Sequence, residues 1–596
     1  MRCHSMRKRI FKKSFSFHSF SIRMILLAGF FVVAVGAVSG KFFILQISGY
    51  EYWKGKALAQ QMQIVQTQPD RGDIFVQDKD GGLHAVAVIK RLFDISVNPS
   101  KLVGSPADHA RILADMLSLS YADVLQKLSK QNDPYEALAR GVSQATAETL
   151  AAKKIQGLTI QERKARYYPL GSFASHVIGF VGSDAAGNLS GQYGVELKYD
   201  DVLRGAGPTQ QNIQALVEKG SFLGAHDLYL ENGAVLILTI DPNIQAEAER
   251  DLRDEAQKWN AKGGNVIVLD SKTGAIRAFA NYPAFDLNAY GKVKDLSIFL
   301  NSGTSLRYEP GSVFKPFTLA AGLTQGSITP DTQYFDSGVI RIGNNVIHNA
   351  GNSAPNKWIS MALFLQRSYN LGAVFIERTI GNAYFSDFLV KTLHFEDKTN
   401  VDLPQEINSS FANLKAKDAV DIDFATAAFG QGIAVTPIKL IQMFSAFTNH
   451  GIVMQPYIVD AIKRADGSVQ ATIPKQLGQM ISSSVVDKEV PLLESVVSGE
   501  RGSGMLARIA GYRIAGKTGT GDIANENGTG YTNRVNHTFV GFGPVTDPRF
   551  VILTRLEEPQ GVRYAETTAV PLFKKIMKFA LEYYGIPPDA QISPTP

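Results

Sequence analysis

The run Met24–Gly40, MILLAGFFVVAVGAVSG, has no charged side chain, and the tail before it holds Arg2, Arg7, Lys8, Arg9, Lys12, Lys13 and Arg23 with no acid. Crossing a bilayer as a helix takes about 20 apolar residues. The run reaches that length if Lys41 snorkels to the interface and Phe42–Leu45 continue the helix. Basic flanks stay inside, so the pattern predicts a cytoplasmic tail at 1–23, a transmembrane anchor at 24–47 and the body beyond the inner membrane. Ala37-Val38-Ser39 also fits a small-x-small cleavage site, which makes a removed signal peptide the competing reading. Either way the bulk of the chain is exported.

The tail also accounts for the charge. The whole chain carries a net +6, and removing the seven tail cations leaves the rest close to neutral. A nucleic-acid-binding face is therefore excluded as the meaning of the positive charge. The one cysteine, Cys3, sits in the tail and rules out an intrachain disulfide or a Cys cluster for zinc. The ten histidines form no H-x-x-x-H or comparable pair, so they offer no metal site.

With 596 residues, 45% of them hydrophobic, the chain has room for more than one core. Residues 48–235 read as a mixed α/β pedestal, with helices opening after Ser105 and Ser120 and short strands at 85–89 and 92–97. From 236 to 587 the pattern is a second α+β domain. It contains a helix after Asp241-Pro242, a hairpin NVIVLD/AIRAFAN across 271–274, strands at 512–516, 537–545 and 550–556, and a C-terminal helix. Residues 588–596, proline-rich, read as a mobile tail.

Three short motifs occur in order: Ser312-Val313-Phe314-Lys315, Ser368-Tyr369-Asn370 and Lys517-Thr518-Gly519-Thr520. Each is weak alone, and the chain holds decoys at Ser5–Lys8, Ser96–Asn98 and Lys272–Gly274. Taken singly, Ser312 also reads as a helix cap, Ser368 and Asn370 as turn polars, and Lys517–Gly519 as a hairpin edge. Only the 312, 368, 517 series combines order, separation and fitting elements. Ser312 opens a predicted helix, which puts Lys315 one turn on and on the same face. The positive helix end and a nearby Lys517 both push Lys315 toward the neutral amine of a general base. Free N–H groups at the helix start suit an oxyanion hole. Lys517, Thr518 and Thr520, expected at a strand end, suit a substrate carboxylate, and Gly519 admits a close backbone. Ser368 relays a proton and Asn370 offers a donor and an acceptor. Gly502-Ser503-Gly504 mimics a dinucleotide fingerprint but follows a helical pattern, where a strand is required.

This motif set marks penicillin-recognising serine acyltransferases, and the flanks sharpen the match. Tyr308-Glu309-Pro310-Gly311-Ser312 with Lys315-Pro316-Phe317, Gly430-Gln431-Gly432 with Thr436-Pro437, and Ala515-Gly516-Lys517-Thr518-Gly519-Thr520 resemble the class B penicillin-binding proteins, peptidoglycan D,D-transpeptidases. So do Arg71-Gly72-Asp73-Ile74, Arg166-Tyr167-Tyr168-Pro169, His176–Gly182 and Gly194-Val195-Glu196 in the pedestal. The resemblance implies a transmembrane helix, a dimerisation-like pedestal and a transpeptidase domain whose antiparallel sheet is covered by helices. It implies that Ser312 attacks the D-Ala–D-Ala carbonyl of a stem peptide, that Lys315 is the base, and that Ser368 and Asn370 form the second motif. Lys517 and Thr518 would bind the carboxylate, the amides of Ser312 and Thr520 would hold the oxyanion, and β-lactams would acylate Ser312, with no metal or organic cofactor implied. Asn370 resembles the division-type (septal) enzymes, whose partners would be a membrane glycan polymerase and other division proteins; an elongation type is the alternative. A hydrolase on the same fold and a non-catalytic division scaffold are the other readings. Two departures from the pattern are Phe75-Val76-Gln77-Asp78 after the entry motif, and Gly521-Asp522 after Thr520.

Overall fold

A computed structural model describes residues 17–44, 69–130, 132–183, 189–206, 231–525 and 530–590. Most of the basic tail with Cys3 and the Ser5 decoy, residues 45–47 of the expected anchor, and 591–596 lie outside them. Two compact units result: residues 1–69 with 206–231, and residues 70–205 with 232–596.

In the first unit the helix Phe17–Phe43 covers most of the expected anchor, with Phe30, Phe31, Val32, Val33, Val35 and Val38 exposed. Counted over the described residues, no helix is long and apolar enough to cross a membrane.

In the second unit, five antiparallel strands form one sheet in the order Ala515–Ala524, Tyr531–Gly543, Phe550–Glu557, Gly263–Asp270, Ile276–Tyr282. The side-chain period of two sends alternate residues to opposite faces. Val266, Val268, Phe539 and Ile552 enter a core beneath the helices Pro242–Lys258 and Ala569–Tyr583. Ile267, Leu269, Val540 and Leu553 enter the other core, with the helices Lys315–Gln325 and Pro437–Phe444. Burial on both faces explains the near-continuous apolar runs in these strands. Asp241 caps the first helix through the amides of Asn243 and Ile244, as the Asp-Pro start predicts.

A second sheet of seven strands belongs to the pedestal. Its centre is Leu83–Val97, a single 15-residue strand rather than the two short ones expected. The interruption at Lys90-Arg91 is tolerated because Leu158–Tyr167 pairs with the strand continuously from Val88 to Val97. At the expected domain boundary, Val235–Leu238 runs parallel to Ile74–Gln77 and antiparallel to Val459–Lys463, so this sheet also takes two strands from far along the chain, Val459–Lys463 and Val469–Ala471. The helices Pro106–Leu117 and Tyr121–Leu128 are capped by Ser105 and Ser120 as read.

Three pedestal motifs meet in one buried cluster. Arg71 Nε donates to Glu196 Oε2 at 2.7 Å and Arg166 Nε to Glu196 Oε1 at 2.6 Å, while Arg71 Nη1 reaches Asp200 at 2.6 Å. Of the departing residues, Phe75–Gln77 are strand, and Asp78 closes the following turn by accepting from the amides of Asp80 and Gly82.

Candidate active site

Ser312 lies in a single 3-10 turn, Gly311–Phe314, which runs into the helix Lys315–Gln325. The expected α-helical start is thus a tighter turn, in which residues i and i+3 eclipse, so Ser312 and Lys315 still share a side. Close approach fixes the turn. A Cβ on Gly519 would stand 2.6 Å from the Pro310 carbonyl oxygen, and Gly311, at φ +57°, has no room for one against Thr520. The turn is therefore seated on the edge strand of the sheet, and glycine is required on both sides of the contact.

Lys315 is fully buried. Its Nζ donates to the Ser368 carbonyl oxygen at 2.5 Å, to Asn370 Oδ1 at 3.0 Å and to Ser368 Oγ at 3.4 Å. Among the described residues it makes no hydrogen bond to Ser312 Oγ, in contrast to the direct reach read from the spacing; a buried amine takes the better acceptors, a carbonyl and an amide oxygen. Burial pushes its pKa well below the ordinary lysine range, the charge of Lys517 adds to this, and Asp336 opposes it.

Lys517 is equally buried, and burial lowers its pKa to about 7 against an opposing Glu566. Its Nζ donates to Ser368 Oγ at 2.8 Å, to the Thr518 carbonyl at 3.0 Å and to Thr518 Oγ1 at 3.2 Å. One hydroxyl, on Ser368, therefore stands between two amines drawn from positions 53 and 149 residues away. Lys517–Thr520 does not end its strand as expected. It occupies the middle of Ala515–Ala524, because every residue from 515 to 522 finds a partner on Tyr531–Gly543 and the ladder carries the polar sequence.

Ser368 ends the helix Met361–Arg367 in the left-handed region at φ 56°, and Asn370 begins the next helix. A non-glycine residue there is held by its surroundings. Asn370 Nδ2 donates to the His348 carbonyl at 2.9 Å, leaving its Oδ1 to Lys315.

Several residues went unread in the sequence. Asp336 is fully buried and accepts from Asn349 Nδ2 at 2.9 Å, while Asn349 Oδ1 accepts from the Leu371 amide at 3.1 Å, pinning the start of the helix after the second motif. Ser503, from the discarded Gly-Ser-Gly stretch, sits 2.9 Å from Thr518 Oγ1. Glu566 faces Lys517. Tyr308, four residues before the nucleophile candidate, lies under the buried Arg555 guanidinium at 4.7 Å and accepts from Thr538 Oγ1 at 3.1 Å. Tyr308 and Ser503 lie in stretches quoted above, but none of these roles is readable there, since each is set by a distant partner. Gly521 and Asp522, the second departure, are ordered: Asp522 accepts from Gln431 Nε2 at 2.6 Å and pairs with Arg563 at 2.7 Å. The Lys272 decoy is a surface turn residue paired with Asp547, far from this chemistry in role. Among the described residues no cluster of His, Cys, Asp and Glu could hold a metal ion.

A serine turn, a buried lysine one 3-10 turn later, a Ser-x-Asn corner and a Lys-Thr-Gly edge strand define a serine acyltransferase of the penicillin-recognising class. The comparisons agree. The family description "Penicillin binding protein transpeptidase domain" matches residues 264–578, and "Penicillin-binding Protein dimerisation domain" matches 66–222. The chain belongs to the penicillin-binding protein transpeptidase family, in its class B form. A peptidoglycan D,D-transpeptidase FtsI homolog from Mesostigma viride is 29% identical, over 97% of this chain and 98% of its own. Stage V sporulation protein D from Bacillus subtilis is 30% identical, over 87% and 79%. The crystal structure of penicillin binding protein 2X from Streptococcus thermophilus shares the fold with a TM-score of 0.73, at 20% identity, covering 87% of this chain and 81% of that one.

Proposed function

We propose that the protein is a peptidoglycan D,D-transpeptidase whose nucleophile is Ser312. The observation that carries this is the Ser368 hydroxyl bridging two buried amines, neither of which has a carboxylate within hydrogen-bond distance among the described residues. The Lys315 amine takes the Ser312 proton as Oγ attacks the penultimate D-Ala carbonyl. Backbone amides of Ser312 and Thr520 receive the oxyanion. The peptide C–N bond breaks, and the proton reaches the departing D-alanine nitrogen through Ser368, which touches both lysines. The amine of a second stem peptide then attacks the ester, gives up a proton by the same route, and releases Ser312. Lys517, Thr518 and Thr520 bind the terminal carboxylate, with Gly519 keeping the turn close. A β-lactam enters at the first step and stays as a penicilloyl ester.

The basic tail and the apolar segment 24–47 anchor the chain in the plasma membrane, N-terminus inside, with the catalytic domain outside. The cell role is septal wall synthesis, with a membrane glycan polymerase and other division proteins as partners; it rests on Asn370 and on the FtsI name of the relative. The domain limits read from the sequence, 48–235 and 236–587, serve as the working division.

The test is mass spectrometry of the detergent-solubilised full chain after labelled penicillin. A long-lived adduct on the peptide containing Ser312 is expected. An adduct elsewhere, or none, overturns the assignment, and rapid release identifies a hydrolase instead.

A further inference from the structure

Glu309 stands three residues before Ser312, and the acyl-transfer steps above leave it without a task. Its Oε1 accepts from Tyr531 Oη at 3.4 Å, and the Gly432 amide lies close enough to favour the charged carboxylate. Its Oε2 is buried with no hydrogen-bond partner among the described residues. Its backbone carbonyl lies so close over Gly521 that no side chain fits there. The nucleophile turn is thus held by two separate segments: the strand that starts at Tyr531, through Glu309, and the loop Gly430–Gly432, whose Gly430 carbonyl accepts from the Gly311 amide at 3.0 Å.

We propose that Glu309 is a positioning residue for acyl transfer: its carboxyl ties the turn carrying Ser312 to Tyr531 and to the Gly432 loop, and so sets the place of Ser312 against Lys315 and Ser368. This rests on Ser312 being the nucleophile.

The tie has a protonation dependence. Burial raises the Glu309 carboxyl to about 7, and Asp522 pushes in the same direction while the Tyr531 and Gly432 donors oppose. The groups facing it are Tyr531 and Asp522; Asp522 is itself held by Gln431 and Arg563, and Arg555 lies behind the neighbouring Tyr308 ring. As an acid, Glu309 sits in this site without charge. Ionised, it leaves Oε2 buried and unpartnered opposite the Asp522 carboxylate, and its favourable course is toward water, which draws the turn off its seat. Acylation should therefore fall as pH rises through about 7, separately from any gain as amines lose protons.

The experiment measures the second-order rate of penicillin acylation of the full chain from pH 5.5 to 9 in wild type, E309Q and E309A, with thermal melts to establish folding. Gln keeps the acceptor oxygen and the shape but cannot ionise. E309Q is expected within about threefold of wild type at pH 6 and without the decline near 7; E309A is expected at least tenfold slower throughout, with the penicilloyl group still on Ser312. Y531F should weaken the tie and slow acylation less than E309A does. The proposal is overturned if folded E309A acylates within twofold of wild type, or if E309Q keeps the inflection. If wild type carries no label on Ser312, the nucleophile assignment fails instead, which separates the two.

Discussion

Two regions of this molecule bury a pair of cations around one shared side chain, and they do so in opposite ways. In the pedestal, Arg71 and Arg166 share the carboxylate of Glu196, one on each oxygen. In the catalytic domain, Lys315 and Lys517 share the hydroxyl of Ser368. Arginine stays charged under all ordinary conditions, so its burial demands an acid. Lysine can shed its proton, and burial beside a hydroxyl and carbonyls in place of a carboxylate pushes it that way. The first arrangement is an ionic clamp; the second is a pair of amines, one well below its usual range and the other near 7. The presence or absence of a counter-charge separates structural from reactive burial.

The contrast breaks most sharply at the reactive end. Ser312→Ala should remove penicillin acylation by about 10⁴-fold or more, read by labelled-penicillin trapping. Lys315→Met, which fills the same space without an amine, should slow it about 10²- to 10⁴-fold while the thermal melt stays close to wild type; a rate near wild type refutes the base assignment. In the clamp the expected pattern reverses. Glu196→Gln removes the carboxylate that both guanidiniums share, leaving Arg71 with Asp200 and Arg166 with only the more distant Asp73, and should cost about 3–5 kcal/mol of unfolding free energy, measured by denaturant titration; an unchanged midpoint would show the cluster to be dispensable.

A gentler test uses pH. The folded pKa of Lys517 is lowered from 10.5 to about 7. Between those values the unfolded chain binds the proton and the folded chain does not, so stability from this group rises with pH across 7 to 10.5 and is lost as pH falls through that window. Lys517→Met should flatten that slope; an identical slope in the variant would show the lysine to be charged when folded. The smallest effect belongs to the decoy: Lys272→Ala removes one exposed ion pair with Asp547 and should shift stability by less than about 1 kcal/mol, with acylation unchanged.

Much of the fold was legible because its signals are local. Asp241-Pro242 starts a helix, 271–274 joins a hairpin, and Ser105 and Ser120 cap helices within a few residues of the pattern they close. The misreadings have a common cause in strand pairing. Lys90-Arg91 looks like a break, and Lys517–Thr520 like a strand end, until the neighbouring strand supplies a continuous ladder. The site divides in the same way. Ser312, Lys315, Ser368, Asn370 and Lys517 announce themselves by spacing, whereas Glu309, Asp336, Asn349 and Ser503 are ordinary residues made significant by partners elsewhere.

What the amino-acid order determined alone is the inventory: a basic tail before an apolar run, the chemical groups of an acyl transfer in serial order, and the glycines that let a turn press against a strand. Only the tertiary structure decided the state of those groups. Desolvation and pairing depend on what surrounds an atom, and the atoms around Lys315 Nζ come from residues more than fifty positions along the chain.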